Sequence, residues 1–169
     1  MDQLDHQREI VLEDLRGLVG GDVRCDNLFL QLYASDGSIY EITPLGVVHP
    51  RSAADVAACV EYAANKCIPI HARGAGTGLA GGCLGPGLVV DTSRFLRHVI
   101  RTGPDWVRVQ PGIVHERLNH HLRAMGRSFS PDPLSSPVTT VGSMIAVDAA
   151  GSRPADGSRS GTFAGRRPR

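Results

Sequence analysis

Leu4, Val11, Leu15 and Leu18 recur at helical spacing and give way to Gly20-Gly21, so the pattern predicts an amphipathic helix over residues 3–19 with a glycine stop. Turn-forming residues occupy Ser35 to Ser38, and a short apolar run from Gly46 to His49, closed by Pro50, predicts a strand. Ser52 stands three residues before Asp55, an N-capping arrangement, and Val56, Cys59, Val60 and Ala63 then mark one face of a helix reaching about Lys66. Ile68 to Ala72 predicts a second short strand. Strand, helix and strand in quick succession form a crossover unit, which implies parallel pairing of these two strands.

Beyond Ala72 the pattern breaks. Residues 73–87 are too rich in glycine for helix or regular strand, and Leu88 to Asp91 then reads as a third buried strand. A glycine-rich loop therefore joins two core strands. His98 to Arg101 and Val107 to Gln110 alternate across a Thr102-Gly103-Pro104-Asp105 turn, the pattern of a hairpin that has left the parallel arrangement. Ile113, Leu118, Leu122 and Met125 predict another amphipathic helix, ending at Gly126. From Ser130 to Gly151 the chain is dominated by Pro, Ser, Thr and Gly and is expected to wrap a ligand or a neighbouring domain.

Composition narrows the class. With 41% hydrophobic and 21% charged residues in 169, the chain is long enough for a real core and falls in the ordinary range of globular proteins. No apolar run approaches the roughly 20 residues needed to cross a bilayer, and the N-terminus lacks the apolar stretch and small-residue cleavage site of a signal peptide. A cytoplasmic protein without a membrane span is the expectation. The formal net charge of +1 conceals an asymmetry, because Arg153, Arg159, Arg166, Arg167 and Arg169 face only Asp156 in the last stretch. That stretch has Phe163 as its one aromatic residue and no flanking basic face, so a solvated tail is expected rather than a nucleic-acid contact. Cys25, Cys59, Cys67 and Cys83 contain no CxxC pair, which argues against zinc or an iron–sulfur cluster and predicts reduced, mostly buried thiols.

The glycine loop carries the chemistry. Gly74, Gly76, Gly78, Gly81 and Gly82 follow a strand closely, with Arg73 before them and Thr77 among them. Glycines allow positive φ and close approach of backbone to ligand, so successive N–H groups can converge on phosphate oxygens. Gly76 to Gly81 formally match GxGxxG, but that fingerprint requires the glycines to open a helix, and here the chain runs on through Pro86 and Gly87 into a strand. A Gly-Lys-Ser/Thr sequence is also missing, so this is neither a Rossmann nor a Walker-type loop.

Taken together, Arg73 to Gly82, Leu88 to Asp91, Val109 to Gly112, Ser130 to Pro133 and Thr140 to Ala146 resemble, in order, the FAD-binding domain of the vanillyl-alcohol oxidase and p-cresol methylhydroxylase family. Within it, the likeness is to the glycolate oxidase and D-lactate dehydrogenase branch. The resemblance implies an α+β fold of two subdomains: a small parallel sheet with flanking helices, and an antiparallel sheet, incomplete here, with FAD between them. It divides the chain into an N-terminal helical segment (1–32), the FAD-binding domain (33–153) and an irregular basic tail (154–169). Carried over by position, Arg73, Gly74, Ala75, Gly76, Thr77 and Gly78 would hold the pyrophosphate, with Gly81 and Gly82 allowing the return. Gln110, Pro111, Gly112, Pro131, Asp132, Pro133, Thr139, Thr140, Gly142, Ser143 and Ala146 would line the rest of the cofactor. Members with covalent flavin often carry a histidine where Thr77 stands, so non-covalent FAD is implied, with a 2-hydroxy acid such as D-lactate or glycolate as substrate of the intact enzyme.

Ser143 stands where the family usually has glycine, and Asp148 where asparagine is common. After Arg153 the resemblance ends, which suggests a chain cut short before the substrate domain; a non-catalytic nucleotide- or anion-binding remnant of such an enzyme is the alternative. The remaining histidines suggest no metal site. His115-Glu116 lacks the second histidine of HExxH, because Asn119 occupies that place, and His120 and His121 read as solvent-facing. His71, beside the loop, is either a neighbour of the cofactor or a partly buried structural histidine, and no general base is assigned.

Overall fold

The computed structural model describes residues 3–149, which fall into two compact units divided between Leu96 and Arg97. The basic tail and Arg153 lie outside the described residues.

The first unit is a four-stranded sheet with helices on both faces. Helix α1 (Gln3–Leu18) leads into β1 (Asp22–Arg24), a short helix α2 (Asn27–Gln31), β2 (Gly46–His49), α3 (Ala53–Asn65), β3 (Ile70–Arg73) and β4 (Leu88–Asp91). Strand β1 and helix α2 left no clear trace in the hydrophobic pattern. The sheet order is β1-β2-β4-β3, with β2, β4 and β3 mutually parallel and β1 antiparallel on β2.

The two strands of the predicted crossover are thus parallel but not neighbours, because β4 inserts between them. Burial explains the order. GVVH and LVVD are buried at every position and fit the interior of a sheet covered on both faces, whereas IHAR is partly exposed throughout and takes the edge. Successive side chains of the central strands serve opposite faces: Val48, Leu88 and Val90 pack with Val11, Leu15, Cys59 and Tyr62, while Val47 and Val89 pack with Leu30.

The helices turn slightly different faces inward than their apolar residues predict. In α1 the buried positions are Arg8, Val11 and Leu15, and the terminal Leu4 and Leu18 are exposed. Arg8 is admitted because its guanidinium donates to the Asn27 side chain. In α3 the expected Ser52 cap is present, its hydroxyl accepting from the Asp55 amide at 3.1 Å, but Tyr62 replaces Val60 on the buried face. The Tyr62 hydroxyl reaches Asp14 at 3.0 Å, which ties α3 to α1.

In the second unit, β5 (Val99–Thr102) and β6 (Val107–Val109) form the expected hairpin, with a register shift between Val99 and Arg101. Helix α4 (His115–Arg123) is followed by Gly126 at φ +68°, a left-handed position that suits glycine. Ile113, Leu118 and Leu122 are buried with Val141, whereas Met125 is exposed. The segment expected to be irregular contains a further helix, α5 (Val141–Ala146), capped by the Thr140 hydroxyl. Six residues are too few for a periodicity to announce it.

Candidate cofactor site

In the first unit the parallel strands end side by side, and the loop of residues 74–87 leaves from the end of β3 and returns to the start of β4. The carboxyl ends of parallel strands are the usual ligand-binding edge of such sheets. The loop has no helix, in agreement with the rejection of a Rossmann fingerprint.

Its conformation is held from one side. Gly37 donates its amide to the Gly76 carbonyl at 2.8 Å, and the Cys83 thiol donates to Asp36 Oδ2 at 3.3 Å. Arg73 Nη1 and Nη2 donate to the carbonyls of Tyr33 and Ser35 at 3.2 and 2.8 Å, with the guanidinium 4.9 Å from the Tyr33 ring centre. Gly76 and Gly81 adopt φ of +68° and +69°. The Tyr33–Tyr40 segment therefore forms one wall of the loop.

Several backbone groups of the loop make no hydrogen bond of their own. Among the described residues, the amides of Gly74, Ala75, Gly76 and Gly78 donate to no protein group. At Gly78 and Gly82, an added Cβ would meet no protein atom within 4 Å, and neither has the positive φ that favours glycine. Nothing in the protein itself demands glycine at these two places. Unpaired amides and surplus glycines facing open space suit an anionic ligand held against the backbone.

Electrostatics around the loop are settled by the protein's own groups. The Asp36 carboxyl stays below its ordinary value: burial pushes it upward, but hydrogen bonds from the Ser38 hydroxyl and amide and from Cys83, with the Arg73 charge, outweigh that. Burial, reinforced by the bond to Asp36, raises the Cys83 thiol, which therefore stays protonated. Asp91, at the end of β4, accepts from the Ser93 amide at 2.7 Å and the Tyr33 hydroxyl at 2.8 Å.

In the second unit, two of the expected segments meet where the chain after β6 approaches the start of α5. Gln110 is tied to His98 at both ends, its amide donating to the His98 carbonyl and its side-chain oxygen accepting from the His98 amide, each at 2.9 Å. Gly142 donates to the Pro111 carbonyl at 2.8 Å, and a Cβ on Gly142 would lie 2.8 Å from Pro111 Cβ. Gly112, Pro131, Thr139 and Thr140 are buried; Asp132, Pro133, Gly142 and Ser143 are partly exposed; Pro111 and Ala146 are exposed. The Thr140 hydroxyl lies 2.8 Å from that of Ser143, so the serine found where glycine was expected is used to complete a helix cap.

Residues 44–160 match the FAD binding domain family. The chain belongs to that family. The D-2-hydroxyglutarate dehydrogenase of Escherichia coli K12 is 40% identical over 123 residues, 70% of this chain and 12% of that protein. The glycolate oxidase subunit GlcD of the same strain is 32% identical over 124 residues, again 70% of this chain and 25% of the relative. Among solved structures, an alkyldihydroxyacetonephosphate synthase superposes with a TM-score of 0.77 at 20% identity, covering 89% of this chain and 34% of that one, which supports the fold. The chain thus spans a small part of the relatives it matches.

For an FAD binding domain, the sequence-derived site omits several residues that give the loop its shape. Tyr33, Gly37, His49 and Asp91 all border or anchor it. Their signal was positional, since His49 and Asp91 are polar residues that close fully buried strands and Gly37 sits in a predicted turn.

His115 is 1% exposed, whereas His120 and His121, farther along the same helix, are exposed as expected. The Phe129 amide donates to Asn119 Oδ1 at 2.6 Å, which fixes the Asn119 amide group as a donor, 3.0 Å from His115 Nε2. His115 Nδ1 then carries the proton and donates to the Ser136 hydroxyl at 2.7 Å. The Asn119 that removes the metal motif thereby supports the segment bearing Pro131 to Thr140. Two of the four free cysteines, Cys25 and Cys59, are buried as expected, whereas Cys67 is exposed and Cys83 partly so.

Proposed function

We propose that this chain binds FAD non-covalently as the cofactor-holding part, centred on residues 33–153, of a flavin-dependent dehydrogenase that oxidises a 2-hydroxy acid. The observation that carries this reading is the set of amides at Gly74, Ala75, Gly76 and Gly78 that donate to no protein group, in a glycine-rich loop at the end of a parallel sheet. Each hydrogen bond from such an amide to a charged oxygen contributes on the order of 1.5–3 kcal/mol, so several together hold a diphosphate firmly.

In this reading the backbone from Arg73 to Gly78 receives the diphosphate, and Gly81 and Gly82 allow the chain to turn back. Gln110, Pro111, Gly112, Pro131, Asp132, Pro133, Thr139, Thr140, Gly142, Ser143 and Ala146 line the remainder of the cofactor. Bound there, FAD would supply a two-electron acceptor for oxidation of the substrate. Thr77, without a nucleophilic ring nitrogen, leaves the cofactor dissociable.

The names of the relatives, D-2-hydroxyglutarate dehydrogenase and glycolate oxidase subunit, support a D-2-hydroxy acid as the substrate of the whole enzyme. No helix among the described residues is long and apolar enough to cross a membrane, and the free cysteines suit a reducing compartment such as the cytoplasm.

The test is purification of the chain followed by titration with FAD. Saturable quenching of flavin fluorescence, with all yellow colour released to the supernatant on acid precipitation, is the expected result. A chain that leaves flavin fluorescence unchanged at high FAD concentration would overturn the proposal.

A further inference from the structure

The three parallel strands end in His49, Arg73 and Asp91, and all three side chains converge on Tyr33. The Tyr33 hydroxyl lies 2.8 Å from both Asp91 Oδ2 and His49 Nε2. Since the carboxylate can only accept, the phenol donates to Asp91 and accepts from His49, which places a proton on His49 Nε2. Both His49 and Asp91 are buried, at 2% and 5% exposure, and the cluster is thereby shielded from water. The same tyrosine offers its main-chain carbonyl to Arg73.

Arg73 is committed to this scaffold. Its two terminal nitrogens hold two different carbonyls, Tyr33 and Ser35, while its plane lies against the Tyr33 ring. The loop then folds back over the guanidinium: Gly76 takes a left-handed φ, and a Cβ there would lie 2.7 Å from Arg73 Nη2. One residue of the same turn, Gly37, closes the ring by bonding the Gly76 carbonyl.

We propose that Arg73 is a positioning residue, which shapes the loop by fastening it to Tyr33 and Ser35 and leaves the diphosphate to backbone amides. The inference rests on the FAD reading above and deepens it. An arginine beside a phosphate loop invites assignment as a charge partner, but its fork is already used on carbonyls and on an aromatic face. Lysine, with one compact ammonium on a flexible stem, cannot reproduce a planar fork across two carbonyls.

The experiment compares the wild-type chain with Arg73→Lys and Arg73→Met, titrating FAD by flavin fluorescence and following exchange of the Gly37 amide proton by NMR. A positioning role predicts that both variants bind FAD about tenfold more weakly and to a similar extent, and that both expose the Gly37 amide to faster exchange. Retention of affinity in Arg73→Lys with loss in Arg73→Met would overturn the proposal in favour of a charge contact.

Arg73→Gln serves if neither of these variants folds. Losing the fork across the Tyr33 and Ser35 carbonyls is expected to weaken FAD several-fold and to speed Gly37 exchange; unchanged affinity and exchange would sink the idea. If the wild-type chain takes up no FAD, the functional reading fails by itself, and Gly37 exchange in the arginine variants still decides whether Arg73 holds the loop.

Discussion

Gly76 folds so closely over Arg73 that a single methyl group at its Cα would strike the guanidinium, whereas a methyl group at Gly78, two residues on, would meet no protein atom within 4 Å. The two glycines therefore separate the demands of folding from those of the ligand. Gly76→Ala is expected to lower stability by about 1–2 kcal/mol for the left-handed backbone, with the clash in addition. Gly78→Ala should leave the melting temperature of the free chain nearly unchanged and yet weaken FAD. Thermal melts with and without FAD compare them; equal affinities for Gly78→Ala and wild type would count against close contact at that point.

The cysteines should differ in reactivity. Burial raises Cys25 and Cys59 to about 11, and Cys83 is raised by burial and by its bond to Asp36. With a thiol-disulfide reagent at pH 8, Cys67 should react first, Cys83 more slowly, and Cys25 and Cys59 only on unfolding. Bound FAD is expected to slow Cys83 further, since that residue is fastened to the wall of the loop. Mass spectrometry of the labelled peptides gives the order.

Acid should weaken the first unit through His49. Burial holds its pKa below the ordinary 6.5, against the opposing pull of the Asp91 carboxylate. The unfolded chain therefore takes up this proton first, so the stability contributed by the neutral imidazole is present above about pH 6.5 and falls as pH drops below it. Melting temperatures measured between pH 8 and 5 should decline, and His49→Gln should flatten that decline. An identical pH profile in the variant would show that other groups govern it.

Leu15 is fully buried between α1 and the sheet, among Val11, Val48, Leu88 and Val90. Leu15→Ala should cost about 2–5 kcal/mol, visible as an earlier midpoint in urea. A loss below about 0.5 kcal/mol would mean that α1 is not part of the cooperative unit.

In the second unit, Asn119→Ala removes the hydrogen bonds that this side chain makes with the Phe129 amide and with His115 Nε2. A loss of about 1–3 kcal/mol is expected from their removal. Proteolysis between Phe129 and Thr140 should accelerate in parallel. Asn119→Asp should do better than alanine, because a carboxylate can still accept from the Phe129 amide.

Much of this architecture was legible in the sequence because its signals are local. Continuous apolar runs placed β2 and β4, the Ser52 cap placed α3, and a turn between alternating segments placed the β5–β6 hairpin. The glycines announced a loop able to meet a ligand. Sheet order was not legible, since it depends on which strand tolerates exposure along its length, and β3 betrays that only weakly. The shaping of the loop was hidden for a different reason. Tyr33, Gly37, His49 and Asp91 act across long separations in sequence, and Arg73 uses backbone carbonyls, which every residue possesses and no sequence pattern marks.

Strands β3 and β4 are parallel neighbours, yet the chain between them has no helix. Parallel partners ordinarily require a crossover of a dozen or more residues, and here residues 74–87 serve as that crossover while also presenting the amides. One segment thus answers to two masters. Insertions or deletions within it would disturb how Leu88–Asp91 slots between its companions before they altered any ligand contact. The length of this stretch is therefore constrained by the sheet as well as by the ligand.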